Sequence, residues 1–169
     1  MRYDMQAGPA NPAARLNLLL TDGGWRDESW ADRLPRLLSP MGVDSRRAQS
    51  GSEAAQLLDS TRIHAAIVDL TLPMDQRVQH HHAQRHSNAS MPSEGGARLL
   101  KLLARVKNPP PIIVVREPRM SREDARDLYV ALQHGVFAVV DRPVNMELML
   151  EVLRRLLTRY YHGRWPGLG

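Results

Sequence analysis

Three observations in the sequence predict an α/β fold, a five-stranded parallel sheet covered on both faces by helices. Short apolar runs alternate five times with segments whose apolar residues recur at helical spacing. Two of the runs, at 16–22 and 65–69, end in an aspartate where a loop must begin. The chain has 169 residues, 43% apolar and 24% charged, the size and makeup of one domain around one core. Crossovers between parallel strands are right-handed, and in an open sheet of this kind ligands sit at the carboxyl ends of the strands.

Residues 1–14 hold Gly8, Pro9, Asn11 and Pro12 without periodicity and are expected to form a disordered arm ahead of a domain spanning 15–162. The run Leu16-Asn17-Leu18-Leu19-Leu20-Thr21-Asp22 predicts a buried strand that opens into a loop at Gly23-Gly24. Trp30, Leu34, Leu37 and Leu38 mark a helix that Pro35 shortens or kinks, and Pro40 and Gly42 stop it. Residues 43–48 read as a more polar strand, hence one at a sheet edge, and 52–58 as a short helix. Ala65-Ala66-Ile67-Val68-Asp69 is the third strand. Leu99, Leu100, Leu102 and Leu103 lie on a helix over 96–106, and a β-branched strand follows the prolines over 111–115. Ser121 with Asp124 opens the next helix, which Gly135 stops, and 136–140 is the fifth strand. Asn145 caps a final helix to about 161, with Met146, Leu148, Met149, Val152, Leu153, Leu156 and Leu157 apolar. Residues 163–169 are expected to be a tail or linker.

Composition removes several function classes. With no cysteine there is no disulfide framework, thiol nucleophile or thiolate zinc site, so a metal would need oxygen or imidazole ligands. No stretch approaches the roughly 18 apolar residues of a membrane span, and the first residues lack the apolar run of a secretory signal. A cytoplasmic protein without a membrane partner is expected. The balance of 23 Lys+Arg against 18 Asp+Glu gives +5, and Lys101 and Lys107 are the only lysines. Such a charge permits contact with nucleic acid without indicating it.

The order and spacing of five segments resemble the CheY-like receiver domain of two-component response regulators. They are Leu18-Leu19-Leu20-Thr21-Asp22, Ser50-Gly51-Ser52-Glu53-Ala54-Ala55, Asp69-Leu70-Thr71-Leu72-Pro73, Gly96-Ala97-Arg98-Leu99-Leu100, and the stretch from Gly135 through Arg142-Pro143. The resemblance covers about 16–160. It implies a flavodoxin-like three-layer sandwich with strand order 2-1-3-4-5, a phosphoacceptor role for Asp69, and a cis-proline at Pro143. It also implies signalling through protein contacts and not substrate turnover, a histidine kinase as partner, and homodimerisation through the face of the fourth helix, fifth strand and fifth helix.

The sequence departs from the family pattern around that aspartate. A carboxylate attacking an anionic phosphoryl group needs Mg²⁺, which the family holds with two acids at the end of the first strand besides the acceptor. Asp22 supplies one, and its neighbours are Thr21, a neutral oxygen, and Gly23. Where the family has Thr or Ser after the fourth strand there is Arg116, the family lysine is Arg142, and the aromatic three places earlier is Val139. Two readings follow. In the first, the pocket is degenerate, Arg116 pairs with Asp69 or Asp22 in place of metal, which is weakly bound or absent, and the domain is an atypical receiver working through protein–protein interaction. In the second, Asp69 is the Mg-assisted phosphoacceptor of a phosphorylation-dependent switch, with Arg116 and Arg142 clamping the phosphate.

Residues 74–93 form an insertion where the family has a short loop. It contains His82 and His86, which a helical turn would place at chelating distance for a metal, beside Gln, Ser, Asn and Pro that favour a solvated loop. Arg154-Arg155, Arg159-Tyr160-Tyr161-His162 and Arg164-Trp165 mix basic and aromatic residues, a composition that can grip nucleic acid but more often covers a helix end or a subunit contact. A metal- or nucleic-acid-responsive adaptor is the third and least favoured reading.

Overall fold

A computed structural model describes residues 15–23, 30–75, 94–118 and 122–163. The chain runs β1 (Leu16–Thr21), α1 (Trp30–Leu38), a short 3-10 turn (Ser39–Met41), β2 (Val43–Ala48), α2 (Gly51–Ser60) and β3 (Ala65–Asp69). It continues with α3 (Glu94–Arg105), β4 (Ile112–Arg116), α4 (Arg122–Gln133), β5 (Ala138–Asp141) and α5 (Met146–Tyr161). All strand pairs are parallel and the order is β2-β1-β3-β4-β5, with the polar strand β2 at one edge.

Period-two alternation divides the core between the two faces of the sheet. Leu16, Leu18, Leu20, Ile67, Ile113 and Val115 point to the face covered by α1 and α5, where Leu34, Met149, Leu153 and Leu156 meet them. Leu19, Ala66, Val68, Ile112 and Val114 point to the other, against Ala54 of α2, Leu99, Leu100 and Leu103 of α3, and Ala131 of α4. Because β1, β3 and β4 are covered on both sides, they read as continuous apolar runs.

The helix ends follow local chemistry. Ser50 caps α2 by accepting from the Glu53 N–H at 3.1 Å, while the Glu53 carboxylate accepts from the Gln49 N–H at 2.8 Å. Asn145 caps α5 by accepting from the Leu148 N–H at 3.0 Å. Pro35 lies within α1 and the helix continues to Leu38. The fifth strand begins two residues later than its apolar pattern predicts, because Val136 N–H turns back to the Ala131 carbonyl at the end of α4. Phe137 N–H then donates to the Ile112 carbonyl at 2.7 Å and brings the chain alongside β4. The expected arm 1–14, most of the insertion with His82 and His86, and Arg164-Trp165 of the tail lie outside the described residues.

Candidate functional site

The carboxyl ends of β1, β3, β4 and β5 converge on Asp69, the last residue of β3, which has no exposed surface. Its position is set from two sides. Thr21, at the end of β1, inserts its hydroxyl between the strands, accepting from the Asp69 N–H at 2.8 Å and donating to the Ile67 carbonyl at 3.1 Å. On the far side Leu70 N–H donates to the Val115 carbonyl at 2.9 Å. Beneath the following turn, Gly96 of α3 comes so close that an added Cβ would stand 2.6 Å from the Asp69 carbonyl oxygen and 2.7 Å from Leu70 Cα. Only a residue without a side chain lets α3 pack there.

Four donors meet the Asp69 carboxylate. Oδ1 accepts from the Thr71 N–H at 2.8 Å and from the Thr71 hydroxyl at 2.7 Å. Oδ2 accepts from the Gly23 N–H at 2.8 Å and from the Arg142 guanidinium, whose side chain is itself buried. A carboxylate has about four lone-pair sites, so this one is saturated by the protein. Asp22, also buried, is held by Arg47 of β2 at 2.7 Å, and the same guanidinium reaches Asp32 of α1 at 2.5 Å. Burial opposes the charge of Arg47, yet its hydrogen bonds to the two carboxylates carry its pKa above the ordinary value.

Of the two arginines expected at the pocket, Arg142 reaches Asp69, and Arg116 donates its Nε to Asp141 at 2.7 Å. The register explains that direction: Arg116 and Asp141 are partners across the β4–β5 ladder, so the acid closest along the rim is the one on the neighbouring strand. The peptide bond between Arg142 and Pro143 is cis. Arg47 and Thr71 were not singled out by the motif reading. Arg47 reaches Asp22 because the parallel pairing of β1 with β2 brings residues 47 and 48 level with 20 and 21.

The sequence matches no protein-family model and no curated protein. Among solved structures, the signal receiver domain of an HD domain-containing protein from Pseudomonas fluorescens Pf-5 superposes with a TM-score of 0.63 at 22% identity, over 88% of this chain and 91% of that one. A CheY-like response regulator receiver domain protein from Methanospirillum hungatei JF-1 gives 0.63 at 19% identity, over 88% and 98%. The fold is that of a response-regulator receiver domain. A response regulator from Burkholderia pseudomallei, solved with a phosphorylated aspartic acid, a calcium ion and citrate, gives 0.55 at 25% identity, over 82% of this chain and 66% of that one.

In a receiver fold the oxygens around the β3 aspartate are where a divalent ion would be held. The oxygens present here do not fit one. Mg²⁺ demands several oxygen ligands in near-octahedral array, whereas Asp69 already accepts from four protein donors and Asp22 already carries Arg47. Thr21, the neutral oxygen expected to help, spends its hydroxyl on the β1–β3 backbone. At Gly23 the backbone N–H, not a side chain, faces Asp69, and an added Cβ would stand 2.6 Å from Thr71 Oγ1 and 3.0 Å from Asp69 Oδ2. Among the described residues, no group of three or more His, Cys, Asp or Glu could hold a metal ion.

Proposed function

We propose that this receiver domain is an atypical one that signals through protein–protein contact, with its aspartate pocket closed by arginines in place of a divalent ion and a phosphoryl group. The reading rests on one observation, the Asp69 carboxylate saturated by Gly23, Thr71 and Arg142. A nucleophilic attack would need a free lone pair on one oxygen and a cation to offset the charge of the incoming phosphoryl group. Here each oxygen is occupied twice, and the guanidinium beside Oδ2 stabilises the carboxylate as it stands. Arg47 does the same for Asp22. The domain is read as a signalling module rather than an enzyme.

The surface supports contact with other proteins. Leu128, Tyr129 and Leu132 of α4 and Leu148 of α5 are exposed, on the side that the resemblance associates with self-association. Among the described residues no helix is long and apolar enough to cross a membrane.

The decisive experiment is incubation with millimolar Mg²⁺ and acetyl phosphate, followed by intact mass, and with beryllofluoride, followed by amide chemical shifts. The expected outcome is no added phosphoryl mass and no shift changes around Asp69. A mass gain that vanishes in Asp69→Ala would replace this reading with a phosphorylation-dependent switch fed by a histidine kinase.

A further inference from the structure

At the pole of the sheet opposite Asp69, the lead-in to β5 and the second half of α5 border a shallow, open groove of about 330 Å³ lined by Phe137, Arg154, Arg155, Thr158 and Arg159. Its floor is apolar and oriented: Phe137 is partly buried, held by its N–H on the Ile112 carbonyl, and packed edge-to-face on Tyr160 with ring centroids 6.1 Å apart. Its walls are cationic. Arg154, Arg155, Thr158 and Arg159 occupy two successive turns on one side of α5, the first two 69% exposed at the side chain. Glu151 bonds both of them at 2.8 Å, and the hydrogen bonds from Arg154 and then Arg155 hold its carboxyl down at about 2. One acid thus serves two guanidinium groups, and no carboxylate among the described residues pairs with Arg159.

We propose that this groove is a docking site for an acidic peptide segment of a partner protein, its carboxylates on Arg154, Arg155 and Arg159 and an apolar side chain seated on Phe137. The proposal deepens the protein-contact reading and rests on it. Charge complementarity selects the occupant: the groove has an excess of positive charge, and guanidinium forks suit carboxylates. Its size suits one or two side chains. Glu151 is already bonded by both Arg154 and Arg155, so the cluster keeps an excess of cation that the separate carboxylates of a short peptide can meet.

The test is fluorescence anisotropy on the full chain with two short labelled peptides, one alternating glutamate and leucine, the other glutamine and leucine. The glutamate peptide is expected to bind saturably, more weakly as salt rises. Arg159→Glu, an exposed substitution whose folding is checked by circular dichroism, is expected to weaken it about tenfold. Phe137→Ala is expected to weaken the binding of the glutamate–leucine peptide as well. Equal binding of the two peptides, or no effect of Arg159→Glu, would overturn the groove. Tighter binding of single-stranded DNA, lost in Arg159→Glu, would overturn the peptide in favour of nucleic acid. Peptide binding that appears only with beryllofluoride and Mg²⁺ supports the groove while overturning the phosphorylation-independent reading of Asp69, so the two failures are distinct.

Discussion

A carboxylate with no exposed surface and a guanidinium with 6% of its side chain exposed face each other at the end of the sheet. Burying both charges costs solvation, and the Asp69–Arg142 pair offsets that cost only because Gly23 and Thr71 satisfy the remaining lone pairs. Removing one partner is therefore far worse than removing both. Arg142→Met is expected to lower unfolding free energy in urea by about 3–5 kcal/mol, and the double variant with Asp69→Asn to recover much of the loss. A cost below about 1 kcal/mol, the range of surface pairs, would mean that water or a neighbouring cation takes over the carboxylate. Arg142→Lys probes geometry rather than charge: an ammonium lacks the planar fork and is expected to fall between the wild type and Arg142→Met.

Single capping side chains decide where the last helix begins, and α5 matters most because it carries both core residues and the basic groove. Asn145 satisfies the Leu148 N–H, so Asn145→Ala is expected to cost about 1 kcal/mol, read as a lower thermal midpoint with no change in helical content at low temperature. No change in midpoint would mean that the packing of Met149, Leu153 and Leu156 alone fixes the helix start. Elements of this kind were legible in the residues because their causes are local: Asn145 before an apolar stripe, or two-sided burial turning β1, β3 and β4 into apolar runs. The end of β3 was legible for the same reason, since an aspartate closing an apolar strand is a local pattern. What was not legible depends on register. That Arg116 turns to Asp141 and that Arg47 reaches Asp22 follow from which strands lie side by side and at what offset. No window of sequence contains both partners.

Across the whole molecule, the two poles of the sheet are built differently. The carboxyl pole is a network of acids and arginines, whereas the amino pole joins β1, β3 and α5 through one histidine. His64 is buried, its Nδ1 accepts from the Asn17 N–H at 2.9 Å, and its carbonyl accepts from the Tyr161 hydroxyl at 2.5 Å. Tyr161 meets the imidazole edge-on, with centroids 6.4 Å apart, and burial pushes its own hydroxyl pKa up. Burial, and then the charge of Arg62, lower the His64 pKa below its ordinary value, and a proton on Nδ1 would abolish the acceptor that Asn17 uses. The sign of the pH dependence follows. Above the unfolded value near 6.5 both states are neutral and the contribution is complete; as pH falls the unfolded chain takes up the proton first, and stability is lost down through the folded pKa. One such group gives a slope of at most about 1.4 kcal/mol per pH unit. The urea midpoint is therefore expected to fall as the pH drops below about 6.5. In His64→Asn, whose carbonyl oxygen can still accept from Asn17 but cannot titrate, that part of the slope is expected to vanish. Identical slopes in the two proteins would assign the acid lability to the carboxylates of the other pole.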